Sequence, residues 1–420
     1  MGKIELLAPA GNFTKLETAF RYGADACYLG GQCFGLRAKA DNFDDEKMRK
    51  AVNLANSLGK KIYVTLNILS RDNDLDELLQ YAEFLYEIGV HGVIVADIGT
   101  FMLLRENLPD LPIHVSTQAN NLNWKTIEFW LKNGAKRVNL ARELSLEEIA
   151  GINRKISVTC PQILDQGEPY LEAFVHGAMC MSFSGRCMLS DYMANRSSNR
   201  GDCAQPCRWN YYISEEKRPG EYMPIYENER GTFIFNSKDL CMLEHLPELL
   251  ETGVQSLKIE GRMKSEFYTA TIVRAYRIAI DAYENGTFSK ELCADLMKEL
   301  TSVSHRDYWT GFYFDEKGGQ VYTTSSYMKD AEFIGTTEIA PIGRLYIRLR
   351  GAFNEGDVLE VVPYDNDKII EFSAMDLLEI KDSDNSVKIE RAANAMMLAS
   401  VKFDADVTIP EGSIVRKKIF

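Results

Sequence analysis

The sequence predicts an α/β protein built on a (β/α)8 TIM-like barrel, followed by a small all-β domain. Three observations predict it. Short apolar runs alternate with amphipathic stretches of helical period through roughly the first 285 residues. Glycine follows helix after helix, at Gly23, Gly59, Gly89 and Gly134, where a left-handed C-terminal position is wanted. Beyond about Gly311 the helical period gives way to short alternating runs separated by Gly, Asp and Asn.

The elements follow in order. Ile4–Pro9 reads as the first strand and Asn12–Tyr22 as its helix. Ala26–Gly30 pairs with Asp44–Ser57, Lys61–Leu66 with Asp74–Ile88, and Gly92–Ala96 with a helix around Thr100–Arg105. Ile113–Ser116 then precedes Trp124–Lys132, and Arg137–Leu140 precedes Leu146–Ile152. Leu171–Val175 supplies a seventh strand; Ser256–Ile259 supplies an eighth, followed by the long helix Glu266–Tyr283. Eight such units favour a closed barrel, with an open doubly wound sheet as the alternative. Ile156–Gly167 reads as an irregular insertion, and Thr232–Phe235 as a surplus strand. Residues 1–310 form the predicted catalytic barrel, with a metal loop at 176–231; residues 311–420 form the predicted β-barrel domain, a surface for RNA or a partner.

Composition narrows the class. Of 420 residues, 48 are Lys or Arg and 61 are Asp or Glu, giving a formal net charge of −13. That disfavours non-specific adhesion to nucleic acid or anionic membrane, while leaving room for a local basic face. No run of apolar residues is long enough to span a bilayer, and MGKIELLAPAG lacks the apolar core of a secretion signal, so a cytoplasmic enzyme is expected.

In a barrel, functional groups sit where strands end. Those positions read Asn67, Asp97, Gln118, Arg142 with Glu143, His176, and Glu260 with Arg262. Four of the nine cysteines, Cys180, Cys187, Cys203 and Cys207, fall within 28 residues, in a stretch rich in Ser, Gly, Asn and Arg. Four thiols so close suit one metal site. Arg186, Arg196, Arg200 and Arg208 supply the positive charge that favours thiolate. The spacing is not that of a zinc ribbon, and spacing alone leaves zinc and iron–sulfur both open. The chain has neither a His-Glu-x-x-His zinc-protease helix nor a Gly-x-Ser-x-Gly nucleophile elbow.

The run from Glu172 through His176 to Cys180, then Ser184-Gly185-Arg186-Cys187 and Asn199-Arg200-Gly201-Asp202-Cys203 to Cys207-Arg208, resembles the signature of the collagenase-like peptidase family U-32. Leu7-Ala8-Pro9-Ala10-Gly11, Ser237-Lys238-Asp239-Leu240 and Lys258 through Lys264 extend the resemblance over essentially the whole chain. Within that family it is most similar to the bacterial TrhP-type tRNA hydroxylation branch. The resemblance implies a [4Fe-4S] cluster on the four cysteines, prephenate as co-substrate, and conversion of a tRNA wobble uridine to 5-hydroxyuridine. It also implies a tRNA anticodon loop as partner and a related family member as a candidate subunit. His176, Glu260 and Arg262 are the expected catalytic groups; Arg37, Asn67, Gln118, Arg142, Glu172 and Lys238 are the expected substrate-binding groups. Trp209, Tyr211 and Tyr212 are candidates to stack on a base. The alternatives are a U-32-type peptidase and a non-catalytic, metal-stabilised binding or assembly subunit.

Overall fold

The computed structural model describes residues 4–35, 42–179, 189–194, 196, 203–204, 206, 227–228, 231–232, 238–315, 328–365, 368–382, 385–403 and 408–419. Eight parallel strands close into a barrel: β1 (Glu5–Pro9), β2 (Ala26–Leu29), β3 (Lys61–Leu66), β4 (Gly92–Val95), β5 (Ile113–Val115), β6 (Arg137–Asn139), β7 (Leu171–Ala178) and β8 (Ser256–Ile259). The closure is β8, which pairs parallel with β1 on one side and with β7 on the other. The barrel expectation holds and the open sheet falls.

Helices cover the outside because each hides one apolar stripe. In α1 (Phe13–Arg21), Leu16, Ala19 and Phe20 are buried, and Asn12 caps the helix by accepting from the Lys15 amide. Helices α2 (Asp45–Leu58), α3 (Asp72–Glu87), α4 (Ile98–Asn107), α5 (Trp124–Lys132) and α6 (Leu146–Thr159) repeat the pattern. The expected irregular insertion is mostly helix: α6 runs on to Thr159, and a 3-10 helix covers Pro161–Gln166 around buried Cys160. Of the surplus run, Gly231–Thr232 forms a short hairpin with Glu227–Asn228, and residues 233–237 lie outside the described residues.

The lower interior of the barrel is charged. Arg137, 1% exposed, donates from Nη1 to Glu5 Oε1 at 2.5 Å and to Glu172 Oε2 at 3.2 Å. Lys258 Nζ reaches Glu172 Oε1 at 2.8 Å; Tyr63 and Ser256 donate to Glu5 at 2.8 and 3.0 Å. Two carboxylates thus face two cations. Burial pushes the Glu5 carboxyl up, but Arg137, Tyr63 and Ser256 together outweigh it and hold the group below its usual range. Above this layer Leu7, Ala26, Tyr28, Tyr63 and Ile94 fill the barrel.

Eight antiparallel strands form the C-terminal curled sheet, in the order Ile370–Ser373, Val358–Val362, Ile414–Lys418, Ala331–Glu338, Arg344–Leu349, Leu398–Lys402, Leu378–Ile380, Ser386–Lys388. Ile334, Ile347, Leu349, Leu359, Val361 and Val415 lie in its own core. It docks on the barrel through Tyr22, whose hydroxyl donates to the Val362 carbonyl at 2.6 Å and accepts from the Ile414 amide at 2.9 Å. Phe267 and Phe333 stack at the same junction. Residues just past 310 still belong with the barrel, since Tyr313 donates to the Phe174 carbonyl at 2.7 Å. Among the described residues no helix is long and apolar enough to cross a membrane.

Removing one member of a buried charge network strands the others. Arg137→Met leaves Glu5 and Glu172 short of a partner, and is expected to cost about 3–5 kcal/mol in urea unfolding. A loss below 1 kcal/mol, the scale of an exposed pair, would contradict the network's role.

Candidate active site at the barrel mouth

The mouth is built from the residues just past each strand's end. Asn67, after β3, donates from Nδ2 to Gln118 Oε1 at 2.6 Å; Ser116 Oγ donates to the same oxygen at 3.1 Å. Asn121 donates to the carbonyls of Ser116 at 2.9 Å and Asn139 at 2.7 Å, tying the ends of β5 and β6 together. Arg142 donates from Nη1 to the Ala178 carbonyl at 2.9 Å and lays its guanidinium over the Phe174 ring at 3.6 Å. Its Nη2 stands 3.9 Å from Glu260 Oε2. Tyr28 OH lies 3.0 Å from the Ile259 carbonyl and 3.3 Å from Glu260 Oε2. Arg262 donates to Asn42 Oδ1 at 2.8 Å and to Thr65 Oγ1 at 3.3 Å. Gly30 makes room for it, since a Cβ there would stand 2.6 Å from Arg262 Nη2.

Several groups on this rim are buried without a hydrogen-bond partner: Asn67 Oδ1, Gln118 Nε2, Asn121 Oδ1, Asn139 Oδ1 and Arg142 Nε. Native proteins satisfy nearly all buried polar atoms, so five such atoms on one rim make it the candidate ligand site, although others occur elsewhere, at Asp239 and Gln255 among them. Glu143, beside Arg142, has its carboxyl raised by burial, against the lowering effect of its own and Arg142's amides and of the Arg142 charge.

The structure brings Asn67, Gln118, Arg142, Glu260 and Arg262 to one rim, as the sequence predicts. Three other expectations are corrected. His176 does not face the mouth. Opposite β8, Lys258 pairs with Phe174 but Ile259 pairs with His176, so Val175 is an extra residue. A bulge flips the side-chain alternation beyond it. The His176 ring turns outward and packs among Tyr268, Tyr276 and Tyr308 at 6.1, 5.6 and 5.2 Å. Burial above all, then the nearby Lys264 and His305 charges, lower its pKa to about 3. Glu172 lies below the rim, held by Arg137 and Lys258 in the charge network and not presented to a substrate. Asp97 caps α4, accepting from the Thr100 amide at 2.9 Å.

Tyr28, Thr65, Ser116, Asn121 and Asn139 belong to the rim and were missed. Alternation along each barrel strand points to Thr65 and Asn139, two residues beyond inward-facing Tyr63 and Arg137. Arg37, Cys180, Cys187 and Cys207 lie outside the described residues, as do Trp209, Tyr211 and Tyr212. Lys238 is half-buried and precedes the strand Asp239–Cys241, which pairs antiparallel with His176–Ala178 at the end of β7.

Two observations bear on metal. Met179, the residue before Cys180, is buried directly after β7 at the rim. Cys203 is half-buried, and the Ala204 amide after it donates to Ser190 Oγ at 2.9 Å. Ser190 is the second residue of the helix Leu189–Ala194, which begins two residues past Cys187, so one hydrogen bond ties that helix to the Cys203–Ala204 segment. Of the four signature cysteines Cys203 alone lies among the described residues; the chemistry of an all-thiol donor set, read from the sequence, fits a four-thiolate centre.

A description of Peptidase family U32 matches residues 11–323. The chain belongs to that family. It is 37% identical over 423 residues to the tRNA hydroxylation protein P1 of Bacillus subtilis, covering 99% of this chain and 95% of that one. To the tRNA hydroxylation protein P of Escherichia coli it is 37% identical over 405 residues, 86% of each chain. To a collagenase of Porphyromonas gingivalis it is 33% identical over 321 residues, 75% of each chain.

The position of His176 in this U32 chain is checked by stability against pH. An unfolded histidine takes up a proton near pH 6.5, whereas the folded ring resists until about pH 3. The wild type therefore loses stability as pH falls from 7 toward 4, by at most about 1.4 kcal/mol per unit from this group. His176→Phe is expected to flatten that slope in urea unfolding; an unchanged slope would place the ring in contact with water.

Proposed function

We propose that the chain takes part in tRNA hydroxylation, as an iron–sulfur-dependent, prephenate-linked enzyme converting a wobble uridine to 5-hydroxyuridine. The observation that carries the reading is the junction at β7: the cysteine segment follows Met179 at a rim of buried polar groups. Similarity to tRNA hydroxylation proteins over most of the chain supports the substrate class.

A cluster held by Cys180, Cys187, Cys203 and Cys207 would supply one-electron redox chemistry beside the substrate. The chain's own residues have separate tasks. Arg142 and Arg262 offer guanidinium forks to the two carboxylates of prephenate. Glu260, 21% exposed at its side chain and within reach of Tyr28 OH, is the rim carboxylate placed to move a proton. The target base has to leave the anticodon stack to reach this depth, and a single-stranded loop allows that. His176, held neutral behind β7, positions the start of the cysteine segment rather than transferring protons.

The peptidase reading draws on the collagenase relative. A nucleophile–base pair of Cys180 and His176 conflicts with the His176 ring, which is 1% exposed and packed on tyrosines.

Deletion of the gene is expected to remove 5-hydroxyuridine-type nucleosides from total tRNA digests analysed by mass spectrometry, with return on complementation. Unchanged nucleosides would overturn the reading. Protein purified anaerobically is expected to be brown, with about four iron and four sulfide per chain. A colourless zinc protein would remove the redox chemistry. Arg142→Gln is expected to weaken prephenate dependence by roughly tenfold to a hundredfold, the size of a lost charge-assisted pair.

A further inference from the structure

The orphaned amides of the rim point to a ligand more specific than an anion. Asn67 Nδ2 donates to Gln118 Oε1 at 2.6 Å, and Ser116 Oγ donates to that same oxygen at 3.1 Å. Both lone pairs of Gln118 Oε1 are then engaged. One acceptor, Asn67 Oδ1, and one donor, Gln118 Nε2, remain buried without partners. The pair bridges from the end of β3 to the end of β5, over β4, after which comes the small side chain of Ala96.

We infer that Asn67 and Gln118 form the base-reading pair of the mouth, taking the edge of a uracil; this rests on the tRNA reading above. An acceptor and a donor carried on two hydrogen-bonded amides complement a ring N–H next to a carbonyl, which is the N3–H and O4 edge of uracil. Asn67 Oδ1 accepts from N3–H, and Gln118 Nε2 donates to the carbonyl oxygen. The charge pattern agrees. Of the four orphaned amide atoms on this side, three are acceptors: those of Asn67, Asn121 and Asn139. Acceptor oxygens repel a carboxylate, so the anionic co-substrate does not belong on this side. The cations Arg142 and Arg262 meet Glu260 and Thr65 instead, so an acid co-substrate and a neutral base have separate places on one rim. Gln118 is 4% exposed and Asn139 3%, so a flat ring reaching them is shielded from water and its edge contacts count for more.

The test uses the purified full-length protein, kept anaerobic, and anticodon stem-loop RNAs with uridine or 3-methyluridine at the wobble position, titrated by fluorescence anisotropy. N3-methylation removes the one ring donor. The wild type is expected to bind the uridine RNA roughly tenfold tighter or more. Asn67→Leu is expected to bring the two RNAs to near equality, and Gln118→Met to reduce the preference likewise, with unfolding temperatures checked for each. Equal binding of both RNAs by the wild type, or an undiminished preference in a folded Asn67→Leu, overturns the inference while leaving tRNA binding intact. A wild type that binds neither RNA better than a scrambled hairpin overturns the tRNA reading itself, and this inference with it.

Discussion

Arg137 holds the lower half of the barrel together. It begins β6, yet its guanidinium meets Glu5 from β1, Glu172 from β7 and Ser256 from β8, with Tyr63 from β3 beside it. An uncompensated charge this deep would cost several kcal/mol, so the strands carrying the partners are constrained to one mutual register. That register sets which residues come up two and four positions later at the other end. Thr65, Asn139 and Glu260 lie on the rim because Tyr63, Arg137 and Ser256 or Lys258 lie below them.

One strand departs from this rule, and the departure separates two functions. Below the bulge, β7 faces the barrel with Glu172 and Phe174. Above it, the strand leaves the wall, pairs with Asp239–Cys241, and turns His176 into a tyrosine cluster. Gly177 makes the turn feasible: its φ is +111°, and a Cβ there would stand 2.5 Å from the Glu260 carbonyl oxygen. The extension carries the chain to Met179, where the cysteine signature begins, while Arg142 grips the Ala178 carbonyl. The bulge thus links the polar rim to the start of the thiol segment without placing a histidine between them.

The rim is uneven in a chemically useful way. From β3 to β6 it is lined with neutral amides and short of donors. Around β8 and β2 it carries Glu260, Arg262, Arg142 and the Tyr28 hydroxyl. A low-dielectric mouth strengthens both kinds of contact and makes each unpaired atom costly until a ligand meets it. Family U32 includes relatives named for tRNA hydroxylation and for collagenase activity. A fold of this type hosts many chemistries, so the site and not the barrel must carry the argument.

The sequence by itself determined the alternation of strands and helices, the change to β structure near the C-terminus, and the four-cysteine signature. Each is a local or periodic signal: apolar spacing, glycine at helix ends, residue identity at short separation. It also named five rim residues, because strand ends in a parallel barrel are functional wherever the barrel closes. Tertiary structure alone decided the rest. Glu172 reads as a signature acid but is neutralised by Arg137 and Lys258, which come from strands 35 and 86 residues away along the chain. His176 reads as a strand-end catalyst but is turned away by a single extra residue, visible only in the register against β8. Alternation fixes the face of a side chain relative to its neighbours; only the pairing partner fixes which face looks into the barrel.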